Sequence, residues 1–163
     1  MSFWKSFFRK AGPPDFAGPD QSGPEAFIRS YCADYTSWNN YCSRLAKEAK
    51  ASARKTPFDE CSQLYKHFLT PFIANGVKLQ LVAFGSDSNF DPNRLAFGDI
   101  INEGSLLRQP FFITLPAHIS GKDEYYAELE PNLLGGFKLR QIYYVDPFPE
   151  DHADSKDPIL PCL

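Results

Sequence analysis

QPFFITLPAHISGKDEYYAELEPNLLGGFKLRQIYYV, residues 109–145, decides the fold class of this chain. Three runs rich in aromatic and β-branched residues, Gln109 to Leu115, Glu124 to Glu130 and Phe137 to Val145, follow one another across the turn sequences SGK and LLGG. Short connections of this kind join antiparallel neighbours, so the runs predict consecutive strands of one antiparallel sheet. Upstream, Lys78 to Phe84 alternates Leu79, Leu81 and Ala83 with Lys78, Gln80 and Val82, which predicts a further half-buried strand. Between them, Asp91 and Pro92 predict a turn or short helix that includes Leu95 and Phe97 and ends at Gly98.

The stretch between the linker and Gly76 is helix-rich. Ile28, Tyr31, Tyr35, Trp38, Cys42, Leu45 and Ala49 recur in steps of three or four, an apolar stripe that must face a partner surface. Pro24 predicts the start of this helix, because a first-turn residue needs no N–H, and the stripe carries it to about Ala53. Thr56, Pro57 and Asp59 resemble a capping box opening a second helix, with Cys61, Leu64, Phe68 and Phe72 as its buried face. Pro71 bends or ends that helix, and Asn75 with Gly76 closes it. Helices first and sheet after make an α+β protein, with the helices packed on the strands.

The 163 residues suffice for one compact domain. Fifteen Phe, eight Tyr and two Trp suit a sheet whose inner face is filled with rings. The net charge of −3 conceals an asymmetry: residues 1–56 carry nine Lys or Arg against five acids, residues 57–163 eight against fifteen. An acidic second half argues against nucleic acid, since phosphate is held by Lys and Arg, and favours a basic protein partner. No cofactor is expected. Metal ligation has no support, because Cys32, Cys42, Cys61 and Cys162 show no CxxC and no paired His spacing. The first three read as small buried apolar residues in a reducing compartment, the cytoplasm.

Residues 1–24 stand apart. Phe3, Trp4, Phe7 and Phe8 share one helical face beside Lys5, Arg9 and Lys10, the pattern of a weak membrane-surface contact or of an aromatic face packed back on the domain. The apolar core is too short and too charged for a secretory signal, and no stretch could span a bilayer. A Pro- and Gly-rich linker follows, then a domain over residues 25–148 and an acidic, proline-containing tail over 149–163.

FGSDSNFDP (84–92), FFITLPA (111–117), EYYAEL (124–129) and FKLRQIYYVD (137–146) follow an order that resembles the nuclear-transport-factor-2-like fold, and within it the immunity proteins that protect bacteria from polymorphic toxins. Members of that family often carry Trp where this chain has Phe137. The resemblance implies a cone, helices closing over a strongly curved antiparallel sheet around a hollow. It further implies a non-catalytic protein that binds a cognate protein toxin, with the open sheet face available for a homodimer. Asp146, Glu150, Asp151 and Asp154 on the tail, and Asp87, Asn89 and Asp91 in the loop after the fourth strand-like run, are the residues expected to meet a basic partner. Phe90 and Phe148 could add aromatic anchors.

A second class remains open, an isomerase or dehydratase, or a ligand-binding protein, using the hollow. General acid–base chemistry needs carboxylates or His on inward positions. The candidates are Asp34 beside Tyr31 and Tyr35, His67 and His118. Asp34 precedes a stripe position by one residue, which predicts a solvated helix shoulder, and His67, His118 and His152 lack partners in the pattern. No catalytic residue is assigned. GSDS lacks the lysine and helix-opening glycines of a phosphate loop, and no serine sits in a GxSxG context.

Overall fold

A computed structural model describes residues 12–79, 83–85 and 88–147 and the backbone of 159–161. Two helices, α1 (Pro24–Ala51) and α2 (Phe58–Leu69), precede six strands: β1 (Leu95–Phe97), β2 (Ile101–Glu103), β3 (Leu106–Thr114), β4 (Lys122–Pro131), β5 (Phe137–Val145) and β6 (Ile159–Pro161). The architecture is α+β, with the helices on one face of an antiparallel sheet.

Three long strands, β3, β4 and β5, form the centre of the sheet in that order. Their inward residues alternate as a two-residue period requires: Phe111 opposes Tyr125, which opposes Tyr144, and Ala127 opposes Ile142. A register shift after Glu128 leaves Arg140 unpaired and brings Leu129 opposite Leu139, both fully buried. Each edge is covered in two pieces. β1 and β2 pair with opposite ends of β3, while β6 pairs with one end of β5 and Ile73 bridges to Leu139 at the other. Short edge pieces leave little unpaired backbone to template aggregation.

The helix stripe lies where its period places it: Ile28, Tyr31, Trp38, Cys42 and Ala49 are buried, and Tyr35 and Leu45 partly so. The rings interlock with those of the other elements. Tyr35 meets Phe90 edge-on at 4.8 Å, Phe90 meets Tyr125 at 5.2 Å, and Phe111 stacks on Tyr125 at 5.2 Å. Each such ring contributes about 1.5–3 kcal/mol through burial alone. The indole N–H of Trp38 donates to the Cys61 carbonyl at 2.8 Å, tying α1 to α2, and the Cys42 and Cys61 thiols lie near each other. Both thiols are fully buried, and burial pushes them up, so they are poor nucleophiles.

Several expectations are corrected. Lys78, Leu79 and Ala83–Gly85 are not strand. Leu79 and Phe84 pack as single side chains on the core, and the main chain is instead clamped to α1, where Asn39 both donates to and accepts from Gly85, at 3.2 and 3.0 Å. Leu95 and Phe97 belong to β1 rather than to a helix, since only Pro92–Arg94 form a 3-10 turn. β2 was not foreseen. α2 begins at Phe58 after Pro57, with no side-chain cap from Thr56, and ends at Leu69, ahead of Pro71 as one alternative had it, so Asn75 and Gly76 do not close it. Finally, residues 12–23 lack regular structure but are not a loose linker. They form a strap, with the Phe16 ring 5.3 Å from Phe68, Asp20 N donating to Ser30 Oγ, and Phe137 N donating to Gln21 Oε1 at 2.7 Å.

The C-terminus of α1 is closed by a left-handed residue. Ala53 N donates to the Lys50 carbonyl and Arg54 N to the Ala49 carbonyl at 2.8 Å, the paired bonds of a Schellman cap, with Ala53 at φ 53°. A β-carbon is disfavoured there by about 1–2 kcal/mol, partly offset by the greater unfolded-state entropy of glycine. Ala53→Gly is therefore expected to stabilise the chain by about 0.5–1 kcal/mol in urea unfolding; a lower midpoint would contradict this account of the cap.

Candidate functional site

Two of the expected acidic contacts, Asp91 and Asp146, lie among the described residues. Asp91 caps the 3-10 turn: its Oδ1 accepts from Asn93 N at 2.9 Å and its Oδ2 from Arg94 Nε at 3.1 Å. These bonds, led by the Asn93 amide, hold its carboxyl below the usual range. Asp146 is buried and so withdrawn from the surface, against expectation. Phe90 is likewise buried among Tyr31, Tyr35, Phe111 and Tyr125 and is no exposed anchor. Among the described residues of this set, Asn89 is the one that lies exposed. Asp87, Phe148, Glu150, Asp151, His152 and Asp154 lie outside the described residues.

Residues 88–90, which present Asn89, are fastened by hydrogen bonds. Ser88 and Thr36 hydroxyls meet at 2.7 Å, Thr36 Oγ1 donates to the Phe90 carbonyl at 2.9 Å, and Arg94 reaches the carbonyls of Ser88 and Thr114. Polar residues of α1 thus fasten them in the gap between apolar positions.

Asp34 is not on a solvated shoulder. It is 4% exposed, and its two oxygens accept from Ala17 N at 3.1 Å and Gly18 N at 2.9 Å, so the carboxylate binds the strap rather than a ligand. Burial is the main cause that raises its pKa, opposed by the two amide bonds and assisted by the negative charge of Asp15. His67 is exposed on α2 with its ring 6.1 Å from that of Phe16, and His118 is exposed in the turn after β3. Neither is brought near Asp34 by any contact described above. The space between helices and sheet, where a hollow would open, is occupied by Tyr31, Tyr35, Trp38, Phe68, Phe90, Phe111 and Tyr125.

Two exposed features escaped the sequence reading. Leu133 and Leu134 stand at the tip of the β4–β5 hairpin, almost wholly in solvent. The tip is stiff: Asn132 Oδ1 accepts from Leu134 N and Gly136 N. Their place in an NLLGG turn was the available signal. The second feature is the basic corner after α1, foreshadowed only by the positive charge of residues 1–56.

Among the described residues no group of His, Cys, Asp and Glu is arranged to hold a metal ion, and no helix is long and apolar enough to cross a membrane. Compared with family models, curated proteins and solved structures, the chain matches none.

The Asp34 geometry has measurable consequences. Removing a carboxylate that satisfies two amides is expected to cost about 1.5–3 kcal/mol in Asp34→Ala, with faster proteolysis within the strap. Because the folded pKa lies above the unfolded one, the folded chain holds the extra proton between them. The contribution of Asp34 is therefore fullest below the unfolded value near pH 4 and declines as pH rises through the raised folded value. The stability difference between wild type and Asp34→Asn should fall with pH over that window; a difference independent of pH would refute the assignment.

Proposed function

We propose that this chain is a non-catalytic immunity protein that binds and neutralises a cognate bacterial toxin in the cytoplasm, on a nuclear-transport-factor-2-like cone. The observation that carries the reading is the ring-filled interior. Where an enzyme of that fold would hold substrate, seven aromatic side chains pack against one another, and the one buried carboxylate of α1 is committed to the strap. Function then falls to the outer surface, on loops set by the scaffold. The same packing counts against the isomerase or dehydratase reading.

With Asp91 and Asp146 engaged in the fold, the acidic contact to a basic toxin surface narrows to Asn89 with Asp87, Glu150, Asp151 and Asp154. Charges of this kind govern association rate and its salt dependence more than affinity at high salt.

Co-expression with the product of the adjacent upstream reading frame tests the proposal. Growth should be restored and the two proteins should co-purify; a folded chain that neither protects nor binds would sink the reading. Neutralising Glu150, Asp151 and Asp154 together should slow association and flatten its salt dependence, whereas unchanged kinetics would remove the tail from the interface.

A further inference from the structure

Between Arg44 and Lys55 the chain carries five cations against the single acid Glu48. Arg44 is engaged, 3.1 Å from Glu48 and with its guanidinium over the Tyr41 ring. Lys47, Lys50, Arg54 and Lys55 are exposed, with no carboxylate at ion-pair distance among the described residues. Three of them, Lys47, Lys50 and Arg54, line one open groove of about 490 Å³ whose far wall is Phe84 and Gly85.

Both walls are fixed. The Schellman cap folds Arg54 back over the last turn of α1, and the double clamp from Asn39 holds Gly85. Phe84 stands edge-on to Trp38, and Phe58, 59% exposed at the start of α2, packs against Phe84 at 5.7 Å. Favourable interaction with the helix carbonyl end accounts for cations at Lys47 and Lys50. It accounts neither for Arg54 and Lys55 beyond the helix nor for a large ring left in solvent beside them.

We propose that this corner docks an acidic segment of a protein partner, its carboxylates on Lys47, Lys50 and Arg54 and an apolar side chain against Phe58 and Phe84. The inference rests on the toxin-binding reading and gives the toxin a second contact, opposite in sign to the one that meets the acidic tail. Charge complementarity selects an anion, and the exposed ring pair selects one with an apolar neighbour. A short peptide segment fits better than a polynucleotide. Four of the five cations between Arg44 and Lys55 are exposed at this one corner, and residues 57–163 carry fifteen acids against eight cations, few for a phosphate backbone to follow.

The test uses the full chain and a fluorescein-labelled peptide of glutamates flanking two leucines, with the glutamine version and an oligothymidylate of equal length as controls. The glutamate peptide should bind best, with affinity that falls as salt rises. Lys47→Glu, Lys50→Glu and Arg54→Glu combined should weaken it about tenfold or more, and Phe58→Ser should weaken it about threefold. If the reversed variant folds poorly, Lys47→Gln, Lys50→Gln and Arg54→Gln combined serves, with the same direction expected. No binding, equal binding by the variants, or preference for oligothymidylate would overturn the proposal. The probe requires no toxin. A chain that protects growth yet ignores the peptide defeats this inference alone, and one that binds the peptide without protecting defeats the toxin reading.

Discussion

The fold depends on covering α1. A 28-residue helix with ten buried positions cannot be satisfied by the sheet alone, whose inner face meets one stripe. α2 covers a further part through Cys61, Tyr65 and Phe68, and two stretches without regular structure close the remaining flanks. The strap lies against Asp34 and Ser30, and the loop ahead of β1 lies against Thr36 and Asn39. Both are held through polar side chains that α1 extends sideways to orphan amides and carbonyls. A loop packed on a helix must find partners for its backbone groups, and here the helix supplies them.

This division explains what could be read in the sequence. Positions that pack by periodicity were legible: the stripe from Ile28 to Ala49, the start at Pro24, and β5 from Phe137 to Val145, found residue for residue. Positions whose role depends on a partner distant in sequence were not. Asp34 looks like any solvated helix acid until Ala17 and Gly18 are placed over it, seventeen and sixteen residues away. Lys78 to Phe84 alternates like a strand, yet the edge of β5 is already taken by Ile73 and β6. Leu79 and Phe84, the described residues of this stretch that pack on the core, lie five apart and would fall on opposite faces of a strand, so the alternation does not describe their packing. The Cys42–Cys61 contact illustrates the same limit, since nineteen residues and a turn separate two thiols that meet across helices.

The candidate site was legible only as composition. Counting charge by halves located a basic beginning and an acidic remainder but could not tell engaged charges from free ones. Asp91 and Arg94 neutralise each other within one turn, as do Arg44 and Glu48. Arg108 sits between Glu103 and Glu128 above the Tyr126 ring. Pairs of this kind, partly exposed, contribute little to stability, but they remove charge from the surface potential that a partner meets.

What survives that cancellation sets the electrostatic face of the molecule. At the end of α1, Lys47, Lys50, Arg54 and Lys55 are exposed with no carboxylate at ion-pair distance among the described residues, and they lie near the Phe58 and Phe84 rings. Exposed charge alone is easily screened at physiological salt, over about 8 Å. An exposed ring such as Phe58, packed on the Phe84 that lines the groove, changes the balance, because a partner that covers it also displaces water from the groove. Attraction then operates at lower dielectric and survives salt better than the same charges would on an open helix. The strained cap at Ala53 belongs to the same argument, since it turns Arg54 toward the groove instead of letting the chain run on into solvent.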